Sequence, residues 1–255
     1  MTSCPRSFSA SAATRLLGEL RIRRPEEIDV ELIAAARGVT VIYKSLAKEE
    51  GHLLRAGKTG LIVVAETARV SEKWRFIIAH ELGHFFRHPD LDQFRICTDA
   101  DLADWYRASG HETEANHFAA ELLMPEQLFK PLCDRNRPSL REVRDLAARF
   151  NTSLTATAVR LIEFCPEPCA VVHSTAGVVD WSIKTHNFPL IIRRGTRLTR
   201  DTYAGDLHAG LTVEDRPQLI DGAGWADGSS IDLQEHSIKL GGYGSVLTLL
   251  WHKWK

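Results

Sequence analysis

In the segment "RFIIAHELGHFFRHP", residues 75–89, His80, Glu81 and His84 interrupt a run of apolar side chains. Residues four apart on a helix lie roughly 5–6 Å from one another on one face, so the two imidazoles can share one cation at about 2.0–2.1 Å. Glu81 is rotated about 100° from His80. That is too far to chelate with the pair, but it sets the carboxylate beside the open coordination position. There it can take a proton from water and pass it to the leaving amine of a cut peptide. Zinc suits such a nitrogen-rich site; manganese or another divalent ion also accepts two imidazoles and a carboxylate. As mere core packing, two histidines and a glutamate in this setting would cost folding energy for nothing.

Hydrolysis needs a third protein ligand and a vacancy. His88 continues the four-residue ladder, but each step adds about 6 Å along the axis, so three rungs cannot meet at one ion. His88 therefore reads as a donor behind the site. Asp90 stands six residues after His84, as in metzincins, but Arg87 occupies the position where that pattern turns on glycine. A second helical segment, "HETEANHFAAELLMP", residues 111–125, places Glu114, His117 and Glu121 along a polar strip opposite Ala115, Phe118, Ala119 and Leu122. Glu114 is the preferred ligand on this reading and Glu121 the next, with His117 and Glu112 behind them. Tyr106, His111 and His117 are candidates for a hydrogen bond to the developing oxyanion.

The elements that must position these groups are also legible. Ser71 can cap a helix on which Trp74, Ile77, Ile78, Leu82, Phe85 and Phe86 recur at helical intervals until Pro89. Upstream, "PEEIDVELIAAARG" predicts a short amphipathic helix ended by Gly38, and the runs "VTVIYK", "HLLRAG" and "LIVVAE" predict a small antiparallel meander behind the motif. The first 25 residues read as a loose start, and 90–110 as a loop with a helical turn near Trp105. Further on, "SLREVRDLAARF" opens with a Ser139/Glu142 capping box, and a second helix from Ser153 makes a helix-turn-helix-like pair. "CPEPC" marks a boundary, after which "CAVVHS", "PLIIRR" and "SVLTLLWHKW" predict strands. The expected class is α+β, divided as 1–126, 127–168 and 169–255.

The pairing of "RFIIAHELGHFFRH" with "ETEANHFAAELLMP" resembles the ImmA/IrrE family of metallo-endopeptidases, in which a His-Glu-x-x-His helix is followed by a helix that donates the third zinc ligand. The resemblance implies His80, His84 and Glu114 as metal ligands and Glu81 as catalytic base. It also implies a zincin-like protease domain, a helix-turn-helix-like middle and a β-rich, GAF-like C-terminal domain open to a small-molecule signal. Such proteins act in the bacterial cytoplasm and cleave a helix-turn-helix repressor of the XRE type, switching on stress-response or mobile-element genes.

A reading from another class is a DNA-binding regulator whose metal is structural. Base readout would need Arg, Asn, Gln or Lys early on the second helix of the pair. That helix, "SLTATAVRLIEF", offers only Ser and Thr there and a single Arg160 later. Arg135, Arg137, Arg141, Arg144 and Arg149 could touch phosphates, but Asp134, Glu142 and Asp145 dilute their field. The whole chain has 32 basic and 33 acidic residues, which gives no general pull towards nucleic acid or anionic membrane. Five cysteines, Cys4, Cys97, Cys133, Cys165 and Cys169, form no disulfide framework and point to a reducing compartment. The N-terminal segment has no secretory core, although its Ser and Arg content also meets the minor reading of a transit peptide; the expectation is cytoplasmic, with no membrane partner.

Overall fold

The computed structural model describes residues 5–46, 50–70, 73–88, 94–97, 110–133, 138–226, 228–241 and 244–252, with 5–8 and 94–97 followed as backbone only. Expectations that rest on Cys4, Ser71, Pro89, Asp90, Trp105, Tyr106, Asp134, Arg135 and Arg137 lie outside these residues. Two compact units emerge: 1–129 with 149–153, and 130–148 with 154–255. Among the described residues no helix is long and apolar enough to cross a membrane.

In the first unit the N-terminal stretch expected to be loose forms a helix, α1 (Pro5–Glu19). Ser9, Ala13, Leu16 and Leu17 are buried along one side of it, a stripe spaced by three and four residues that the abundance of Ser and Ala hides from a hydropathy scan. The short helix α2 (Val30–Ala35) is capped by Asp29, whose side chain accepts from the N–H groups of Glu31 and Leu32.

The strands are β1 (Val39–Lys44), β2 (Gly51–Ala56), β3 (Thr59–Ala65) and β4 (Phe94–Cys97), in the order β1-β3-β2-β4. This corrects the expected antiparallel meander, because β1 runs parallel to β3 while β2 pairs antiparallel with both β3 and β4. The centre goes to β3, whose Ile62, Val63, Val64 and Ala65 are buried on both faces; a strand apolar on both sides belongs inside a sheet. The strand β4 falls in a stretch expected to be loop.

Helix α3 (Lys73–Arg87) lies against this sheet, and Ile77, Ile78, Ala79, Leu82 and Phe85 are buried on it. Gly51 gives it room: a Cβ there would come within 2.5 Å of the Ile77 side chain. Arg75, 4% exposed, donates to the carbonyls of Ile28, Phe150 and Asn151, so a buried cation ties α3 to two distant chain segments. Helix α4 (His111–Leu123) packs on α1 and on α3, with Ala115 against Gly83 and Phe118 stacked on Phe86, and α5 (Glu126–Cys133) follows it.

Helices α6 (Leu140–Phe150) and α7 (Leu154–Phe164) flank a turn at Asn151, whose φ of 51° is the left-handed geometry that ends a helix. Half of the expected capping box forms: Ser139 Oγ accepts from the Glu142 N–H at 3.2 Å, but the buried Glu142 carboxylate oxygens make no hydrogen bond among the described residues. Burial, with Asp145 nearby, pushes that carboxyl up to about 7. A carboxyl whose folded pKa lies above its unfolded one contributes stability that is full below about pH 4.3 and is lost as pH rises through 7. Glu142→Gln is therefore expected to raise unfolding stability at pH 8 by about 1–2 kcal/mol, allowing for solvent screening, and to give no gain at pH 4, as measured by denaturant titration at each pH.

The second unit carries a sheet in which every pair is antiparallel, ordered β6-β5-β9-β8-β7, from β5 (Cys169–Thr175), β6 (Val178–Lys184), β7 (Gln218–Asp221), β8 (Asp232–Lys239) and β9 (Ser245–Trp251). The short helix α8 (Tyr203–His208) packs on β8 and β9. "PLIIRR" corrects another expectation. Its Leu190 and Ile192 are buried and Ile191 exposed, as in a strand, but it joins no ladder. Pro189 has no N–H to give, Lys184 Nζ takes the carbonyls of Phe188 and Leu190, and Ser182 takes that of Ile192.

Candidate metal centre

Helix α3 brings His80 and His84 to one face, with their Nε2 atoms 3.0 Å apart. Both rings are buried, as is Glu81. From the first turn of α4, Glu112 reaches the pair, its Oε2 3.1 Å from His80 Nε2 and its Oε1 3.4 Å from His84 Nε2. Among the described residues this is the one group of three or more His, Cys, Asp or Glu side chains able to close on a metal ion. In the metal-free protein burial works against the Glu112 charge, while ring protons on the facing His80 and His84 nitrogens hold its carboxyl well below the usual carboxylate range; a cation would take the place of those protons.

The surrounding hydrogen bonds are compatible with the tautomers that a bound cation requires. His80 Nδ1 lies 2.7 Å from the Asn116 Oδ1 acceptor, so the neutral ring donates there and its Nε2 keeps a lone pair. His88 Nε2 faces a Glu114 carboxylate oxygen at 3.3 Å and must donate to it. Burial and the adjacent His111 ring push His88 below the ordinary histidine value, which leaves its Nδ1 as an acceptor. His84 Nδ1, 3.1 Å away, then donates to it. The consequence is that a neutral His84 also presents a lone pair at Nε2. Two imidazole lone pairs and a carboxylate facing one another at about 3 Å fit a divalent cation, and a hydrogen bond at the other ring nitrogen is the usual support for a ligating histidine. Asn116→Ala is expected to weaken zinc binding about 10–100-fold with no loss of zinc selectivity, measured by competition with a chelating dye.

Glu114, expected as third ligand, is not brought to the imidazole pair. It ends the His84–His88 chain and also lies 3.3 Å from the Arg87 guanidinium. Glu121, the next choice, accepts from Thr14 Oγ1 and the Glu126 N–H at 3.1 Å each. The physical reason is position along the contact: Glu112 stands one turn before Ala115 and Asn116, which meet Gly83 and His80, whereas Glu114 meets the far end of α3, at Arg87 and His88. Asn116, four residues on, was the available signal for Glu112.

Gly83 permits the approach. A Cβ there would lie 2.9 Å from Ala115 Cα and 3.0 Å from Ala115 O. Alanine would gain about 1 kcal/mol of helix propensity, but overpacking costs about 1–3 kcal/mol, and the contact is backbone that must move. Gly83→Ala is expected to lower stability by up to about 2 kcal/mol net and to weaken metal binding by displacing Glu112, checked by thermal melts with and without added zinc.

The family model described as the IrrE N-terminal-like domain, Peptidase_M78, matches residues 34–162, half of the chain. The radiation response metalloprotease IrrE of Deinococcus radiodurans is 30% identical over 141 residues, covering 54% of this chain and 40% of that protein. Its namesake in Deinococcus deserti is 30% identical over 135 residues, 51% of this chain and 45% of that protein. The matched region thus spans less than half the length of either relative. A Mycobacterium tuberculosis transcriptional regulator of known structure shares the fold, with a TM-score of 0.63 at 16% identity over 96% of this chain and 76% of its own. With the matched region enclosing both helices of the metal centre, the chain belongs to the IrrE N-terminal-like, M78 metallopeptidase family of ImmA/IrrE proteins.

Proposed function

We infer that this chain is a zinc-dependent, site-specific endopeptidase in which His80, His84 and Glu112 hold the cation and Glu81 is the general base. The observation that carries the reading is the convergence of two imidazoles and one carboxylate from two helices, one residue away from a buried glutamate. A bound divalent cation supplies Lewis acidity to the peptide carbonyl and to the attacking water. Glu81 takes the proton from that water as it adds to the carbonyl, and returns it to the amine as the C–N bond breaks. Burial keeps bulk water from competing for that proton. Asn116 and the His88–Glu114 pair hold the two imidazoles in the ligating tautomer. Zinc matches the donor set, and manganese is the main competitor.

The substrate we assign is an XRE-type helix-turn-helix repressor, whose cleavage would derepress stress-response or mobile-element genes in the cytoplasm. The helical middle, 127–168, serves in this reading as a docking module, and the GAF-like part, 169–255, as a sensor for a small-molecule ligand. A DNA-reading role for α7 finds no support, because Arg160 is 6% exposed and paired with Glu163 at 2.6 Å. The test is co-expression with helix-turn-helix repressors from the same genome. Wild-type protein should yield one discrete cut in one repressor, and Glu81→Gln none. Regulation retained in full by Glu81→Gln, with DNA affinity that falls steeply with salt, would replace this reading by the DNA-binding one.

A further inference from the structure

The segment "CPEPC", residues 165–169, lies outside the metal chemistry. Cys165 follows the end of α7 and donates its N–H to the Leu161 carbonyl at 2.8 Å. Cys169 opens β5, and Thr185 binds both its N–H and its carbonyl. A five-residue bend is thus fixed at both ends to secondary structure of the same unit. Cys133, Cys165 and Cys169 are all free thiols. Their access differs: Cys169 is fully buried and Cys133 3% exposed, while Cys165 is half-buried next to the exposed Pro166 and Glu167.

The Cys165 and Cys169 side chains lie within interaction reach of each other, and the Glu167 backbone N–H reaches the Cys165 sulfur. The Cys169 side chain does most to hold the Cys165 thiol below the ordinary cysteine value, against burial and the charges of Glu167 and Glu142. Cys169, beside Cys165 and buried, is pushed far above it. One accessible sulfur beside one sheltered sulfur, at the two fixed ends of a five-residue bend, makes the asymmetry of a reactive and a resolving cysteine, and the lowered Cys165 thiol agrees with it.

We propose that Cys165 and Cys169 form an oxidisable dithiol, in which Cys165 reacts with a hydroperoxide and Cys169 resolves the product as a disulfide across the bend. In the first step the Cys165 sulfur attacks the peroxide; an S–O bond forms, the O–O bond breaks, and the departing oxygen leaves as water with the thiol proton, giving a sulfenic acid. In the second the Cys169 sulfur attacks Cys165; an S–S bond forms, the S–O bond breaks, and hydroxide leaves as a second water with the Cys169 proton. Two thiols lose two electrons, and one hydrogen peroxide becomes two waters. A three-sulfur metal site with Cys133 is the competing use. The described cysteines do not gather closely enough for it, because the three-ligand group found is the histidine–Glu112 set.

The experiment uses the full-length reduced protein, treated with a small excess of hydrogen peroxide, quenched with N-ethylmaleimide and digested with trypsin. Peptide 161–184 contains Cys165 and Cys169 and no other cysteine. It is expected to lose two hydrogens, resist alkylation, and regain both thiols with dithiothreitol. Cys169→Ser should accumulate a Cys165 sulfenic acid that dimedone traps, and Cys165→Ser neither product. In the untreated wild-type protein iodoacetamide should label Cys165 at least about tenfold faster than Cys133 or Cys169, a readout that depends on no variant folding. A disulfide to Cys133, labelling of Cys169 before Cys165, or a peptide 161–184 still carrying both thiols at peroxide doses that oxidise glutathione overturns the proposal.

Discussion

Glu81→Gln is expected to abolish repressor cleavage, with kcat down about 10²–10⁴-fold or below detection, while bound zinc stays stoichiometric. The amide keeps the size of the carboxylate and can hydrogen-bond a water, but it cannot hold the proton that must leave that water. His80→Ala, by contrast, removes a candidate ligand and should lose metal and cleavage together. Metal content by mass spectrometry, read beside a gel-based cleavage assay, separates the two. Loss of zinc from Glu81→Gln would mean that the carboxylate ligates the ion, and cleavage undiminished by the substitution would remove Glu81 from the chemistry.

The parts of this site that were legible in the sequence are those fixed by local periodicity. His80, Glu81 and His84 share one helix, so a spacing of four places the rings together and a rotation of 100° sets the glutamate aside, whatever the rest of the fold does. Both helices also announce themselves, α3 by its apolar recurrence and α4 by Ala115, Phe118, Ala119 and Leu122. What a linear reading misses is how α4 meets α3. Glu114, His117 and Glu121 align as a polar strip, and polarity draws attention to them, but it is Glu112, one turn before Ala115 and Asn116, that lies against His80 and His84. Gly83 is silent in sequence for the same reason: its role is a backbone approach to Ala115 that only the packed pair reveals. The sheet shows the limit in a second form. Each of β1 to β3 is recognisable as a strand, but their order depends on β3 being apolar on both faces and on a parallel pairing that no local pattern encodes. In the second unit, the buried alternation of Leu190 and Ile192 imitates a strand while the carbonyls of the segment are claimed by Lys184 and Ser182.

The assignment of Glu112 over Glu114 makes the sharpest demand on the metal centre. Glu112→Ala leaves two imidazoles and no carboxylate ligand for a divalent cation, so zinc affinity should fall by more than about 100-fold, beyond the 10–100-fold that outer partners of ligands usually contribute. Glu114→Ala removes only the acceptor at the end of the His84–His88 chain. His88 then loses the partner that fixes its tautomer, and zinc should bind about tenfold more weakly but still stoichiometrically at micromolar concentration. Titration of each apoprotein with zinc against a chelating dye measures both constants, and circular dichroism shows whether each variant is folded. Should Glu114→Ala empty the site while Glu112→Ala keeps its zinc, the carboxylate that completes the centre would be Glu114, and the approach of Glu112 to His80 and His84 would have to be a charge contact of the metal-free protein. The two arms are separable because the two carboxylates have different partners, Glu112 facing the Nε2 atoms of His80 and His84 and Glu114 the side chains of Arg87 and His88.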